Sequence, residues 1–160
     1  DSTAITNTKL LTCHLPYIAD GSTTGHAITI NGDPSTEPFV PYDMQQEYAA
    51  SSHSGSVHFD GTGDYIDITP SAANLGTGNF TVECWVYFSA DPRQIIYDTR
   101  QADGNSGHAI FMTSSTHYIV FYDNNATVLT SAQAVKQNQW NHIAVVRNSG
   151  TLNIFCFVDI

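Results

Sequence analysis

Side chains able to do chemistry are scattered thinly along this sequence. The seven histidines, His14, His26, His53, His58, His108, His117 and His142, are dispersed. Zinc ligation by them requires long-range convergence, and surface or strand-end positions are the simpler reading. Glycoside hydrolysis needs two carboxylates at a fixed separation across a cleft. The only glutamates are Glu37, Glu47 and Glu83, and none lies in a strand pattern that pairs it with a second acid. Asp64 and Asp67 are three apart, which puts them on opposite faces of a strand. Neither a GxSxG elbow nor an HExxH helix motif is present. No catalytic residue is assigned, and the chain is expected not to be an enzyme.

Cys13, Cys84 and Cys156 are odd in number and widely spaced, so they form neither a CxxC zinc site nor a disulfide framework. Cys84 and Cys156 lie in apolar alternating runs and read as small buried hydrophobes. One bridge with a thiol left over is the alternative. Most aspartates stand beside Gly, Asn or Ser, which is turn chemistry first and calcium chemistry second. Net charge is −10, and Lys9, Arg93, Arg100, Lys136 and Arg147 form no run. Nucleic acid and anionic membranes, which need clustered cations, are therefore poor partners.

The elements that must position these residues are strands. Phe80 to Phe88 alternates strictly, with Phe80, Val82, Cys84, Val86 and Phe88 on one face and Thr81, Glu83, Trp85 and Tyr87 on the other. Further strands are predicted at Ser56–Phe59, Tyr65–Ile68, Gln94–Asp98, His108–Thr113, Tyr118–Tyr122, Trp140–Arg147 and Leu152–Asp159. Turn clusters rich in Gly, Asn and Asp separate them, as at 60–64, 102–107, 123–125 and 148–150. Helix signals are nearly absent, with one turn conceivable at Ala132–Gln137 or Pro70–Asn74. Strands at this spacing describe an all-β sandwich or barrel. The 160 residues suffice for one domain with a real core.

Residues 1–55 read as an N-terminal strand and a long surface excursion of that same domain, ahead of a sandwich over 56–160. Lys9–Cys13 and Ala27–Asn31 are the strand candidates there, and Pro34, Pro38 and Pro41 rule out a central strand. No segment approaches 18 apolar residues. The N-terminus has no signal-peptide pattern and no initiator Met, so a processed or incomplete start is expected.

Four stretches in order carry a family resemblance: Ser56–Ile68, Leu75–Tyr87, Ile96–Arg100 and Gln139–Arg147. The series resembles laminin-G-like jelly-roll domains of the concanavalin A-like superfamily. Thr8–Cys13 and Ile28–Asp33 are similar to versions in tail-fibre and other virion proteins of marine cyanophages. The resemblance spans residues 8–159 and implies a two-sheet antiparallel jelly-roll sandwich. Phe59, Phe80, Val82, Cys84, Trp85, Val86, Trp140 and Val145 are its expected structural core. One departure stands out. The run Leu152–Asp159 is about two residues longer than the family's, and the strands that normally follow are missing at Ile160. That leaves an exposed edge, either because the polypeptide continues, which is favoured, or because a neighbouring subunit covers it.

The function implied is a non-enzymatic phage structural protein of the tail, a fibre or the capsid surface, serving attachment or reinforcement. Its partners would be other virion proteins or copies of itself in a homo-oligomer, with host-surface glycans as a further partner. A secreted or cell-surface carbohydrate-binding module is the alternative, and a glycoside hydrolase remnant a weaker third. Calcium is the one cofactor the resemblance suggests, held by Asp103, Asn105, Asp123 and Asn124 from two turns at one end of the sandwich. Tyr97, His117, Tyr118 and Tyr122 are conceivable glycan contacts, although cross-strand aromatic packing explains them equally well.

Overall fold

The structure is a computed structural model that describes residues 8–12, 18–37, 55–68, 75–100, 106–124 and 126–158. Among these there is no helix, and every strand pair is antiparallel. The chain divides into two compact units, Asp1–Ala73 and Asn74–Ile160.

The first unit holds two short ribbons. Strand β1 (Ile28–Asn31) pairs with β4 (Tyr65–Ile68), and β2 (Ser35–Glu37) pairs with β3 (Ser56–His58). Lys9–Thr12 forms no strand, contrary to the strand candidate named there, and Cys13 lies outside the described residues. Asp20 organises the preceding loop. Its carboxylate accepts the amides of Leu11, Ser22 and His26 and the Ser22 hydroxyl. Partial burial raises its pKa, but these four donors outweigh that and bring it down to about 2.

The second unit is the sandwich. One sheet is ordered β11 (Thr151–Val158), β10 (Trp140–Asn148), β5 (Phe80–Tyr87). The other is a meander of β6 (Gln94–Asp98), β7 (His108–Met112), β8 (Tyr118–Asp123) and β9 (Ala126–Ala134). Between them lie Phe88, Ile110, Met112, Ile119, Phe121, Val135, Ile143 and Val145, all buried. Phe80, Val82, Cys84 and Val86 pack against that cluster from β5, and Leu152, Ile154 and Cys156 from β11. Each large buried side chain contributes about 1.5–3 kcal/mol, so facing sheets with alternating apolar residues close spontaneously on each other. This is the all-β sandwich that the alternation predicts, and it is consistent with the two-sheet antiparallel jelly roll that the resemblance implies.

Three expected features are corrected by the coordinates. Phe59 follows the end of β3 and is 42% exposed, so it is not core. Trp85 has the parity opposite to Val82 and Val86, and its ring packs at a tilt against His142 on the outer face. Trp140 joins it there, edge-on to Tyr87. The third concerns 132–137, where a helical turn was conceivable: Ala126–Ala134 is a nine-residue strand.

Cys84 and Cys156 both stand opposite Ile143, one on each flanking strand. Two strand spacings, roughly 9.6 Å, separate them, beyond the reach of a disulfide. They are free thiols, as the buried-hydrophobe reading requires.

Local chemistry fixes the turns. Asn148 and Thr151 are paired across the two-residue loop Ser149–Gly150, and both loop residues have positive φ, the geometry of a tight hairpin. Serine is unusual there. The side-chain oxygen of Asn79 accepts the Ser149 amide at 2.9 Å and holds it. Asn141, fully buried, pins the β9–β10 connection by accepting the Lys136 amide and donating to the carbonyls of Lys136 and Gln139.

Candidate functional site

The most distinctive surface of the sandwich is the outer face of the β5–β10–β11 sheet. Register places Trp85, His142 and Phe157 in one row across three strands. Their rings are in contact, with centroids 5.1 Å apart for Trp85–His142 and 6.2 Å for His142–Phe157. Tyr87 and Trp140 form the row on one side. On the other side, Glu83, Ala144 and Phe155 are aligned, and Glu83 approaches His142 Nε2 at 3.9 Å. Phe155 is 44% and Phe157 59% exposed. A face of five aromatic rings, an imidazole and one carboxylate can stack on sugar rings or on apolar side chains of another protein.

This face ends at β11, whose other flank borders β9. Between them runs a groove of about 360 Å³ lined by Ser131–Gln133 and Ile154–Phe157. Burial pushes the Cys156 thiol pKa up, against a hydrogen bond with Ser131. The groove therefore offers an unreactive thiol and apolar contact rather than a nucleophile.

The outer face of the other sheet is roofed by arginines. Arg93 lies 4.0 Å over the Phe111 ring, and Arg100 lies 5.6 Å over Tyr122 while donating from Nε to Asp98 at 2.9 Å. Asp98, Ala109 and Tyr122 are in register, so Arg100 bridges across the row and Ala109 is fully buried beneath it.

The aromatic set read from the sequence does not converge. Tyr97 is packed against the core, where burial raises its pKa to about 12, opposed by Thr99 and reinforced by the Asp98 charge. Tyr118 and Tyr122 are on the opposite face, four residues apart along β8. His117 is in the β7–β8 turn, bonded to Asp91. The rings that do converge, Trp85, Trp140 and Phe157, lie on the other sheet. Parity along β5 already separates Trp85 from the core residues, but the cross-strand register that gathers the row is not written in any one segment.

Of the calcium ligands expected, Asp103 and Asn105 lie outside the described residues. Asp123 Oδ1 accepts Asn124 Nδ2 at 2.6 Å and stands 3.4 Å from His108 Nε2. Asn124 Oδ1 accepts the Gly107 amide, and the Asn124 amide bonds to the Gly107 carbonyl. Gly107 and Asn124 are thereby tied together, while the Asp123 carboxylate faces Asn124 and His108.

A different acidic cluster exists in the first unit. Carboxylate oxygens of Asp33, Asp60 and Asp64 lie within 4.8 Å of one another. Asp64 is held by the amides of Asp60 and Asp33, the Asp60 amide foremost, and these lower its pKa against slight desolvation. Asp60 in turn accepts the Thr62 amide. Three hard anionic donors from two loops suit an oxygen-seeking divalent cation. Sequence reading treated Asp60–Asp64 as a turn. Asp33 reaches it only through the β1–β4 register, in which Asn31 faces Tyr65.

Among the described residues, the carboxylates with a resolved shift, Asp20, Asp64, Asp91 and Asp98, are all shifted downward.

Residues 60–157 match the model of the Laminin_G_3 family, described as the concanavalin A-like lectin/glucanases superfamily. The chain belongs to this superfamily. Neither a curated protein nor a solved structure matches it significantly.

Proposed function

We propose that the chain is a non-catalytic attachment or connecting module displayed on a virion surface, on the tail, a fibre or the capsid. Its working surface is the aromatic outer face of β5–β10–β11, and the observation that carries the reading is the Trp85–His142–Phe157 row, with Phe157 exposed and Trp85 and His142 half-buried. Large aromatics at a surface supply binding energy when a partner desolvates them. The partners are other virion proteins or further copies of this chain in a homo-oligomer. The virion setting draws its support from the order and spacing of the sequence motifs. Lowered carboxylates and a half-buried, raised thiol support a role without catalysis.

A host or environmental glycan is the second reading, favoured by Glu83 and His142 standing among the rings, where they can orient a sugar stacked on Trp85. It would equally serve a secreted module. Calcium would brace the Asp33–Asp60–Asp64 loops of the first unit.

The test is the pair of variants Trp85→Ala and Phe157→Ser, with folding checked by circular dichroism. Both are expected to reduce incorporation into particles, or retention on host cells, by tenfold or more, since a central aromatic contact is worth about 2 kcal/mol. Full incorporation and full retention by both variants would remove this face from the proposal.

A further inference from the structure

Among the described residues the sandwich has four edge strands, β5, β6, β9 and β11. An open edge invites a further strand, and charges or bulges discourage it. Strand β5 carries Glu83, β6 carries Asp98 and a register shift between Ile95 and Tyr97, and β9 shifts its register along β8. Strand β11 has none of these devices. Its run Thr151–Val158 holds no charge and no proline, and it pairs with β10 without a break. The two-residue loop Ser149–Gly150 fixes which way its backbone points. Thr151 closes the hairpin by exchanging bonds with Asn148, so the odd-numbered residues of β11 bond inward to β10. The N–H and C=O groups of Leu152, Ile154 and Cys156 therefore point away from β10. Among the described residues no hydrogen bond reaches them.

We propose that β11 pairs antiparallel with β11 of a second copy of this chain, about a two-fold axis at Phe155. A two-fold axis makes this edge its own partner. Centred on Phe155, it sets Ile154 opposite Cys156 and Leu152 opposite Val158, and the outward N–H and C=O groups bond across in pairs. Phe155 meets its own counterpart at the close, non-hydrogen-bonded position, with Asn153 opposite Phe157. Phe155 and Phe157, both exposed in the single chain, lose water there. Charge favours this strand over the rest of the surface. The net charge of −10 opposes self-association, and an uncharged edge is where two copies can approach. The pairing joins two three-stranded sheets into one and brings the aromatic faces of both copies onto one surface. It rests on the homo-oligomer part of the function proposed above, but it draws on the β11 backbone rather than on the rings.

Sedimentation velocity of the full chain is expected to show a dimer, twice 17.4 kDa, in the micromolar range. Phe155 is exposed, so either charge is compatible with the single chain. Phe155→Lys sets two like charges face to face at the axis and should leave a monomer, as should Phe155→Glu. Mixing the two variants should restore the dimer, which also shows that both fold. Amide exchange locates the contact. The Ile154 and Cys156 amides should gain about tenfold protection from dilute to concentrated solution. Trp85→Ala, which tests the aromatic face, is expected to remain dimeric. A monomeric wild type, a dimer that survives Phe155→Lys, or no dimer in the mixture would each overturn the pairing. A dimer lost in Trp85→Ala, with Ile154 and Cys156 exchange unchanged by concentration, would overturn it too while upholding the aromatic face.

Discussion

Asn141 shows how a single polar side chain can be indispensable in an apolar setting. It is completely buried and closes the β9–β10 connection by three hydrogen bonds to backbone. Asn141→Ala strands one amide and two carbonyls and opens a void, so a loss of about 3 kcal/mol is expected in urea unfolding. Asp20 gives a pH signature of its own. Its folded pKa is depressed to about 2, so its contribution is present above the ordinary carboxylate value near 4 and is lost as pH falls through 2. Exchange protection of the Leu11 and His26 amides should therefore fall between pH 4 and 2. In Asp20→Asn the same amides should start less protected and show no such fall.

Among the elements, the strands with two-residue alternation were legible and β9 was not. In β5 Phe80, Val82, Cys84 and Val86, at every second position, face the core. In β9 the sequence Ala-Thr-Val-Leu-Thr-Ser-Ala-Gln-Ala carries few large side chains, and register shifts in its pairing to β8 break the period. Its strand character comes from the neighbour it pairs with, which no local pattern records. Gly107 illustrates a requirement that composition only hints at. It has φ +105°, and a Cβ there would lie 2.5 Å from the Thr99 carbonyl oxygen, which belongs to backbone and cannot swing away. Gly107→Ala should lower stability by about 2 kcal/mol in thermal unfolding and loosen the bond between the Thr99 amide and His108 carbonyl.

At the scale of the molecule, the superfamily was readable from ordered motifs, whereas the candidate surface was not. The rings that seemed available, Tyr97 and Tyr122, end on opposite faces of one sheet, because a bulge and parity decide where each points. Trp85 was assigned to the core by size, although its own parity sets it outside. The proposed role of that outer face therefore rests on sheet assembly. The measurement that bears most directly on this proposal is a reconstruction of the intact virion, the setting proposed for this chain. Density for the two-sheet sandwich is predicted at the particle surface, with Trp85, His142 and Phe157 pressed against a neighbouring subunit or a bound glycan. Particles without the chain, or a sandwich anchored elsewhere with that row facing open solvent, would contradict the account.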